Sequence, residues 1–265
     1  MIALTTDVSN PHRHFASANR ALLWKVWVES RGRLFSAMAI LASLVIYAVA
    51  TGPEYVARVQ NLYPGRPYSY SAYIWGGLFH YALQGLWAVA TFVLTLGGLR
   101  REKATGSALF SLGLPVSRLR LFVIRAALAC AEAVVLGLFS ELLIPTVSPL
   151  VGESYPFGQA LAFGVVMSAG GLLIVASGLL LCEIFQGEFT AAAVGLCALA
   201  TVFLSYKART LPGWNVFDVM SATTCVDPVT HLLEGTAPWP GLAICLLLSI
   251  GLLAIAGITI RTRDI

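Results

Sequence analysis

The sequence predicts an all-α membrane protein: six transmembrane helices, an N-terminal amphipathic interfacial helix, and a short helix between spans 2 and 3. Three observations predict it. Hydrophobic residues make up 58% of the 265 residues and charged residues only 11%, with a mean hydropathy of +0.80, whereas a soluble domain carries about 25% charged residues. Six apolar runs are long enough to cross hydrocarbon, which takes about 20 residues of helix. The cations, finally, gather before the first run and between the second and third, the asymmetry that orients membrane helices, although residues 182–188 carry none and are placed inside by parity alone.

The elements follow in order. Residues 1–18 are polar, contain Pro11, His12 and His14, and lack the apolar core of a secretory signal; the segment reads as a cytosolic tail. Residues 19–33 read as an interfacial helix. Leu22, Leu23, Val26 and Trp27 share a broad face with Leu34, while Lys25, Glu29 and Arg33 recur every four residues on another and can pair there. Trp24 and Trp27 suit the membrane boundary. Spans are expected at Leu34–Ala50, Trp75–Gly98, Leu119–Ile144, Phe157–Leu181, Phe189–Tyr206 and Trp239–Ile260, all in one domain covering 1–265. Residues 51–74, rich in tyrosine and proline, read as an exterior loop. Lys207–Pro238 reads as partly helical, with Asp227-Pro228 opening a helix that Gly235 ends. Trp75, Trp214 and Trp239 fit an outer aromatic belt.

An even number of spans puts both termini on one side. Placing them in the cytosol gives thirteen inner cations against four outer ones, Arg58, Arg66, Lys207 and Arg209, and the plasma membrane is the expected location. The densest inner group is Gly97–Arg125, GGLRREKATGSALFSLGLPVSRLRLFVIR, with Arg100, Arg101, Lys103, Arg118, Arg120 and Arg125 against the single acid Glu102. Ala108, Leu109 and Leu112 recur there at helical spacing, Gly113 and Pro115 end the short helix, and Ser117 can cap the next one. A connection that merely turned the chain needs far fewer residues, so this one is expected to present a helix to something in the cytosol.

The run RREKATGSALFSLGLPVSRLRL resembles the segment between the second and third spans of type-2 ATP-binding-cassette transporter permeases. NRALLWKVWVESRGRLFSA resembles the helix that precedes the first span in that family, and DPVTHLLEG the helix found before the last. The resemblance implies a permease subunit, an exporter, with Arg101, Glu102, Lys103, Thr105, Gly106, Leu109, Leu112, Pro115 and Arg118 in a coupling region that docks on a separate cytosolic ATPase. The interfacial residues Trp24, Lys25, Trp27, Glu29 and Arg33 would brace it. ATP and magnesium would belong to that partner, and a second permease copy or a related permease would complete the transporter.

Residue patterns bear on other classes. The phosphate-cradling G-x-x-x-x-G-K-[ST] loop is missing, so no nucleotide or other cofactor is expected on this chain, nor ATP hydrolysis. Its cations flank spans rather than form a groove, which points to membrane lipids and away from nucleic acid. The competing class is a polytopic protein without transport activity, an intramembrane enzyme or a sensor. His80, Gln84, Arg125, Glu132 and Glu141 are the ionisable or polar groups at membrane depth from which a polar path or a site would be built. Gln84 stands one turn from His80. Arg125 and Glu132 share a face of span 3, and Glu141 points nearly the opposite way. Glu132 has two readings: an interhelical hydrogen bond that fixes packing, or the lining of a central path between two subunits. In span 4, Gly164, Ser168, Gly171 and Gly178 make a small-residue stripe for close helix packing. Cys225, in the connection before the last span, reads as a small buried thiol, the alternative being a bridge to a second copy.

Overall fold

The computed structural model describes residues 11–65, 68–96, 117–185, 189–208, 214–234 and 237–262, with side chains from residue 20 onward. Within these residues the chain is helical, without a named strand, and six helical stretches are long and apolar enough to cross a membrane. The predicted six-helix membrane architecture is present. Of the predicted coupling region, Arg101, Glu102, Lys103, Thr105, Gly106, Leu109, Leu112 and Pro115 lie outside the described residues.

Helix α1 runs unbroken over Pro11–Leu62, 52 residues, about 78 Å at 1.5 Å per residue. It carries the predicted 19–33 helix and the first span together. Leu22, Ser30, Leu34, Ala37, Leu41, Val45, Ala48 and Val56 are buried along it. Their spacing of three, four or eight residues makes one stripe that continues through the expected boundary at Leu34. On the exposed flank Lys25 pairs with Glu29 at 3.7 Å, as their spacing foretold.

The expected 51–74 loop is corrected by the same helix, which absorbs its first half. Pro53 lies inside α1, and the reason is aromatic packing across Gly52. A Cβ at Gly52 would stand 2.9 Å from the Tyr73 ring and 3.0 Å from that of Tyr70. With hydrogen there instead, both rings pack against the helix, Tyr55 lies 5.2 Å from Tyr73, and the Tyr73 hydroxyl donates to Ala48 O at 3.0 Å. The tyrosines thus fold back on α1 and extend it.

Span 2 is composite: α2 (Tyr70–Tyr73), a π-helical segment (Ile74–Leu83) and α3 (Gln84–Thr95). Ser69 caps its start by accepting from Ala72 N at 3.1 Å. In an α-helix Trp75 and His80, five apart, would point in different directions. The wider π turn brings positions five apart onto one face, and Trp75, His80 and Gln84 all meet the 206–221 region.

The remaining spans are α4 (Arg118–Val147), α5 (Phe157–Ile184), α6 (Thr190–Ala208) and α8 (Trp239–Thr262), with a short α7 (Val216–Met220) before the last. Ser117 caps α4 as expected, accepting from Arg120 N at 3.3 Å. A 3-10 turn over Ser148–Val151 ends α4, and Gly152 supplies the left-handed φ of 78° that stops it.

The bundle is built round α5 and its small-residue stripe. A Cβ at Gly164 would meet Leu138 and Glu141 of α4 at 3.2 and 3.3 Å. The Ser168 hydroxyl fills the space of the missing Gly137 Cβ, Trp87 that of Gly171, and Thr95 that of Gly178. The pairs 137/168 and 141/164 move in opposite senses along α4 and α5, so these helices are antiparallel. The pairs 87/171 and 95/178 move together, so α3 and α5 are parallel. Small residues allow this approach, because in lipid contact itself must hold helices together.

The helix predicted from Asp227-Pro228 does not form; a single turn does. Asp227 caps it through Oδ2, which accepts from Thr230 N at 2.6 Å. His231 then takes a left-handed φ of 56°, and the chain doubles back with Val226 bridging Leu233. The proposed stop at Gly235 lies outside the described residues. Helical structure in this connection falls instead at α7, where Asn215 Oδ1 accepts from Phe217 N at 2.9 Å.

Candidate functional site

At the end of the bundle from which the basic connection 97–116 leaves and to which it returns, four helices meet through polar groups. A helix leaves its last carbonyls without intrahelical partners and ends with partial negative charge. At α3 those carbonyls are met by two guanidinium groups. Arg33 of α1 donates to Val93 O at 3.2 Å and also to Leu96 O. Arg125 of α4 donates to Thr95 O at 3.3 Å. From α5, the Cys182 thiol approaches the same Thr95 oxygen at 3.6 Å. The end of span 2 is therefore tied to spans 1, 3 and 4.

Glu132 lies close to these arginines. Its side chain is buried, accepts a hydrogen bond from Ser30 of α1, and feels the charges of Arg33 and Arg125. Placing a carboxylate at the middle of a lipid-exposed helix costs about 2.5–3.5 kcal/mol; here a hydroxyl and two cations receive it. Of the two sequence readings of Glu132, the interhelical hydrogen bond is the one realised within this chain.

Arg33, expected on a surface ladder with Lys25 and Glu29, also reaches span 2. Trp24 and Trp27 border a cavity of about 690 Å³ with Arg20, Leu23 and Leu128, on the α4 side of α1. Arg118 forms the first turn of α4 directly after the basic connection.

The other end of the bundle holds a second network. His80 Nδ1 is 2.8 Å from the Tyr206 hydroxyl, which is 3.1 Å from Ser221 Oγ. Gln84 Nε2 donates to Phe217 O at 2.7 Å, and Trp75 Nε1 to Ser221 O at 3.3 Å. Lys207 donates to His80 O and sits over the Tyr81 and Tyr206 rings at 4.2 and 4.6 Å. Trp75 is thus not a plain belt residue: it is half-buried between His80 and His231. Trp214 and Trp239 are exposed.

Glu141 belongs to neither network. It is buried against Gly164 of α5, and its Oε1 has no hydrogen-bond partner among the described residues, a condition shared by Trp87 Nε1, Ser168 Oγ and Gln84 Oε1. Beyond the end of α4, burial pushes the Tyr155 phenol above its ordinary range, with Glu141 and Tyr70 adding to the effect.

The five polar residues singled out at membrane depth therefore divide. Arg125 and Glu132 join the clamp on α3, His80 and Gln84 join the Tyr206–Ser221 network, and Glu141 stands apart; within one chain they do not line a common path. Sequence inspection missed Ser30, Thr95, Tyr206 and Ser221. Ser30 had a signal, since it falls on the Leu22–Leu34 stripe, but small hydroxyls inside apolar runs look alike until their partners are known. Among the described residues no three His, Cys, Asp or Glu side chains are grouped to hold a metal. No protein-family model and no curated protein matches this sequence.

Proposed function

We propose that this chain is the transmembrane permease subunit of an ATP-binding-cassette transporter, an exporter of the plasma membrane with both termini in the cytosol. One observation carries the proposal: the basic connection springs from a helix end that Arg33 and Arg125 bind to spans 1 and 3. A partner that pushed on that connection would move three spans together rather than one loop. The run RREKATGSALFSLGLPVSRLRL, which resembles the coupling segment of type-2 permeases, supplies the partner's identity, an ATPase that binds ATP and magnesium and closes on them. Differential contacts in its open and closed states would then shift the bundle between two arrangements. A second copy, or a related permease, completes the pathway.

The test uses a variant with its native cysteines replaced and Lys103→Cys added, in sealed vesicles of known orientation. A membrane-impermeant maleimide should reach that position only from the cytosolic side. Reversing Arg101 and Lys103 to glutamate should release a co-purifying ATPase while the bundle stays folded. Labelling from the exterior, or an ATPase still bound and coupled after reversal, overturns the proposal.

A further inference from the structure

Helix α6 is the least embedded of the spans: Ala191, Gly195 and Tyr206 are its buried residues. It is pinned near one end, where the Phe92 ring occupies the space of the absent Gly195 Cβ, and near the other by Tyr206 on His80 and Ser221. Between the pins α6 stands away from α5, leaving a cavity of about 400 Å³, within the ~300–1,000 Å³ of small-molecule sites. Leu173, Ser177 and Leu181 of α5 form one wall, and Leu199 and Val202 of α6 the other.

Two features define the occupant. The wall hydroxyls make no demand on it, because Ser177 Oγ donates to Leu173 O at 2.7 Å and Ser205 Oγ to Val202 O at 2.8 Å. The lodged part must be hydrocarbon, since a polar group there would lose water without gaining a partner. Polarity rises only at the α7 end, where Trp214 and Asn215 border the cavity; Trp214 is exposed and has the amphipathic ring found at headgroup level. The groove is also open sideways, for Val202 on one lip is exposed and Ser177 on the other only half-buried. Its entrance therefore faces the lipid that surrounds any spanning helix.

We infer that the α5–α6 groove is a binding site for one acyl chain of a membrane phospholipid, entering from the side with its headgroup beside Trp214 and Asn215. The inference needs only the membrane setting and holds whether or not the chain works with an ATPase.

The test places the full chain in vesicles containing a phospholipid with a diazirine midway along one acyl chain. After photolysis, adducts are mapped by mass spectrometry. Leu247, Ile250 and Ile258, exposed on α8, report ordinary contact with bulk lipid. Adducts at Leu173, Ser177 and Leu199 should exceed those on α8 about tenfold, the ratio set by about 1.4 kcal/mol of preferential occupancy. Leu199→Trp, which fills the groove, should remove the excess at Leu173 and Ser177 while α8 labelling stays constant. Val202→Phe fills it from the lip and serves if the first variant alters the α8 pattern. Groove labelling no higher than on α8 in the wild-type chain, or an excess that survives both fillings, overturns the inference.

Discussion

Arg33 of α1 and Arg125 of α4 end on the same short stretch of carbonyls, residues 93–96, at the close of α3. Glu132, hydrogen-bonded to Ser30, lies within their field, so one cluster gathers a helix end, two cations and a buried carboxyl. This relationship connects three spans at the point where the basic connection begins.

The two arginines should behave as a unit. A hydrogen bond to a charged group contributes about 1.5–3 kcal/mol, so Arg33→Gln or Arg125→Gln should each destabilise the chain by that order. Because both act on the one end of α3 and on Glu132, the double variant should cost less than the sum of the singles. Groups in one network show coupling of about 0.5–3 kcal/mol. Denaturation in mixed micelles, read by far-UV circular dichroism over a double-mutant cycle, measures it. Strict additivity would mean that the two side chains act separately.

Much of this fold was legible in the sequence, since hydrocarbon leaves a chain few choices. Apolar length located the six spans, and the stripe at Gly164, Ser168, Gly171 and Gly178 gave the packed face of α5. The Lys25–Glu29 pair followed from spacing alone. What escaped depends on partners distant in sequence. The helix past Ala50 needs Tyr70 and Tyr73 to fill Gly52, and nothing local announces that. The turn at Asp227 begins with a sound helix start, and the left-handed His231 then ends it. Of the candidate site, Arg125 and Glu132 were visible as costly groups and Arg33 only as an interfacial cation, while the arginines' targets, the carbonyls of α3, carry no sequence signal.

Gly171 offers a sharper test of the packing. A methyl group there collides with the indole of Trp87, a large side chain that is fully buried and has little room to yield. Gly171→Ala should destabilise by about 1–3 kcal/mol, the usual cost of overpacking. Gly158, on the same helix, has open space where its Cβ would be, so Gly158→Ala should leave the midpoint unchanged or slightly higher. Trp87→Leu combined with Gly171→Ala should recover part of the loss. Equal behaviour of the two glycines would dismiss the stripe as a packing device.

The turn at Asp227 should respond to pH in one direction. Its carboxyl is held below the ordinary carboxylate range, first by a hydrogen bond with the Thr230 side chain and then by the Thr230 amide. A group whose pKa is lowered on folding stabilises the fold fully above its unfolded value, near 3.9 for Asp. That contribution is lost as pH falls through the lowered folded value. Hydrogen exchange at the Thr230 and His231 amides, corrected for intrinsic rates, should therefore be constant from about pH 5 to pH 8. Below about pH 4 protection should decline, and Asp227→Ala should lose it at every pH. Protection that instead fell between pH 6 and 8 would show that a group other than Asp227 controls the turn.

The two carboxyls of α4 should answer mutation in opposite ways. Glu132 accepts from Ser30 and lies within the field of two guanidinium groups, so Glu132→Met leaves the buried Ser30 hydroxyl without its acceptor. Leaving a buried donor unsatisfied costs about 1–3 kcal/mol. Glu132→Gln, which still accepts from Ser30, should cost less. Glu141 presents Oε1 to a buried wall without a hydrogen bond among the described residues, and an unsatisfied buried polar atom costs about 1–3 kcal/mol. Glu141→Met, similar in volume, should therefore leave stability unchanged or raise it. A fold more stable without Glu141 keeps that carboxyl for something other than stability. Under the transporter proposal, its removal should lower substrate-stimulated ATP hydrolysis by the full complex. If Glu141→Met destabilises as much as Glu132→Met, then Glu141 is a structural group with partners of its own, and this contrast fails.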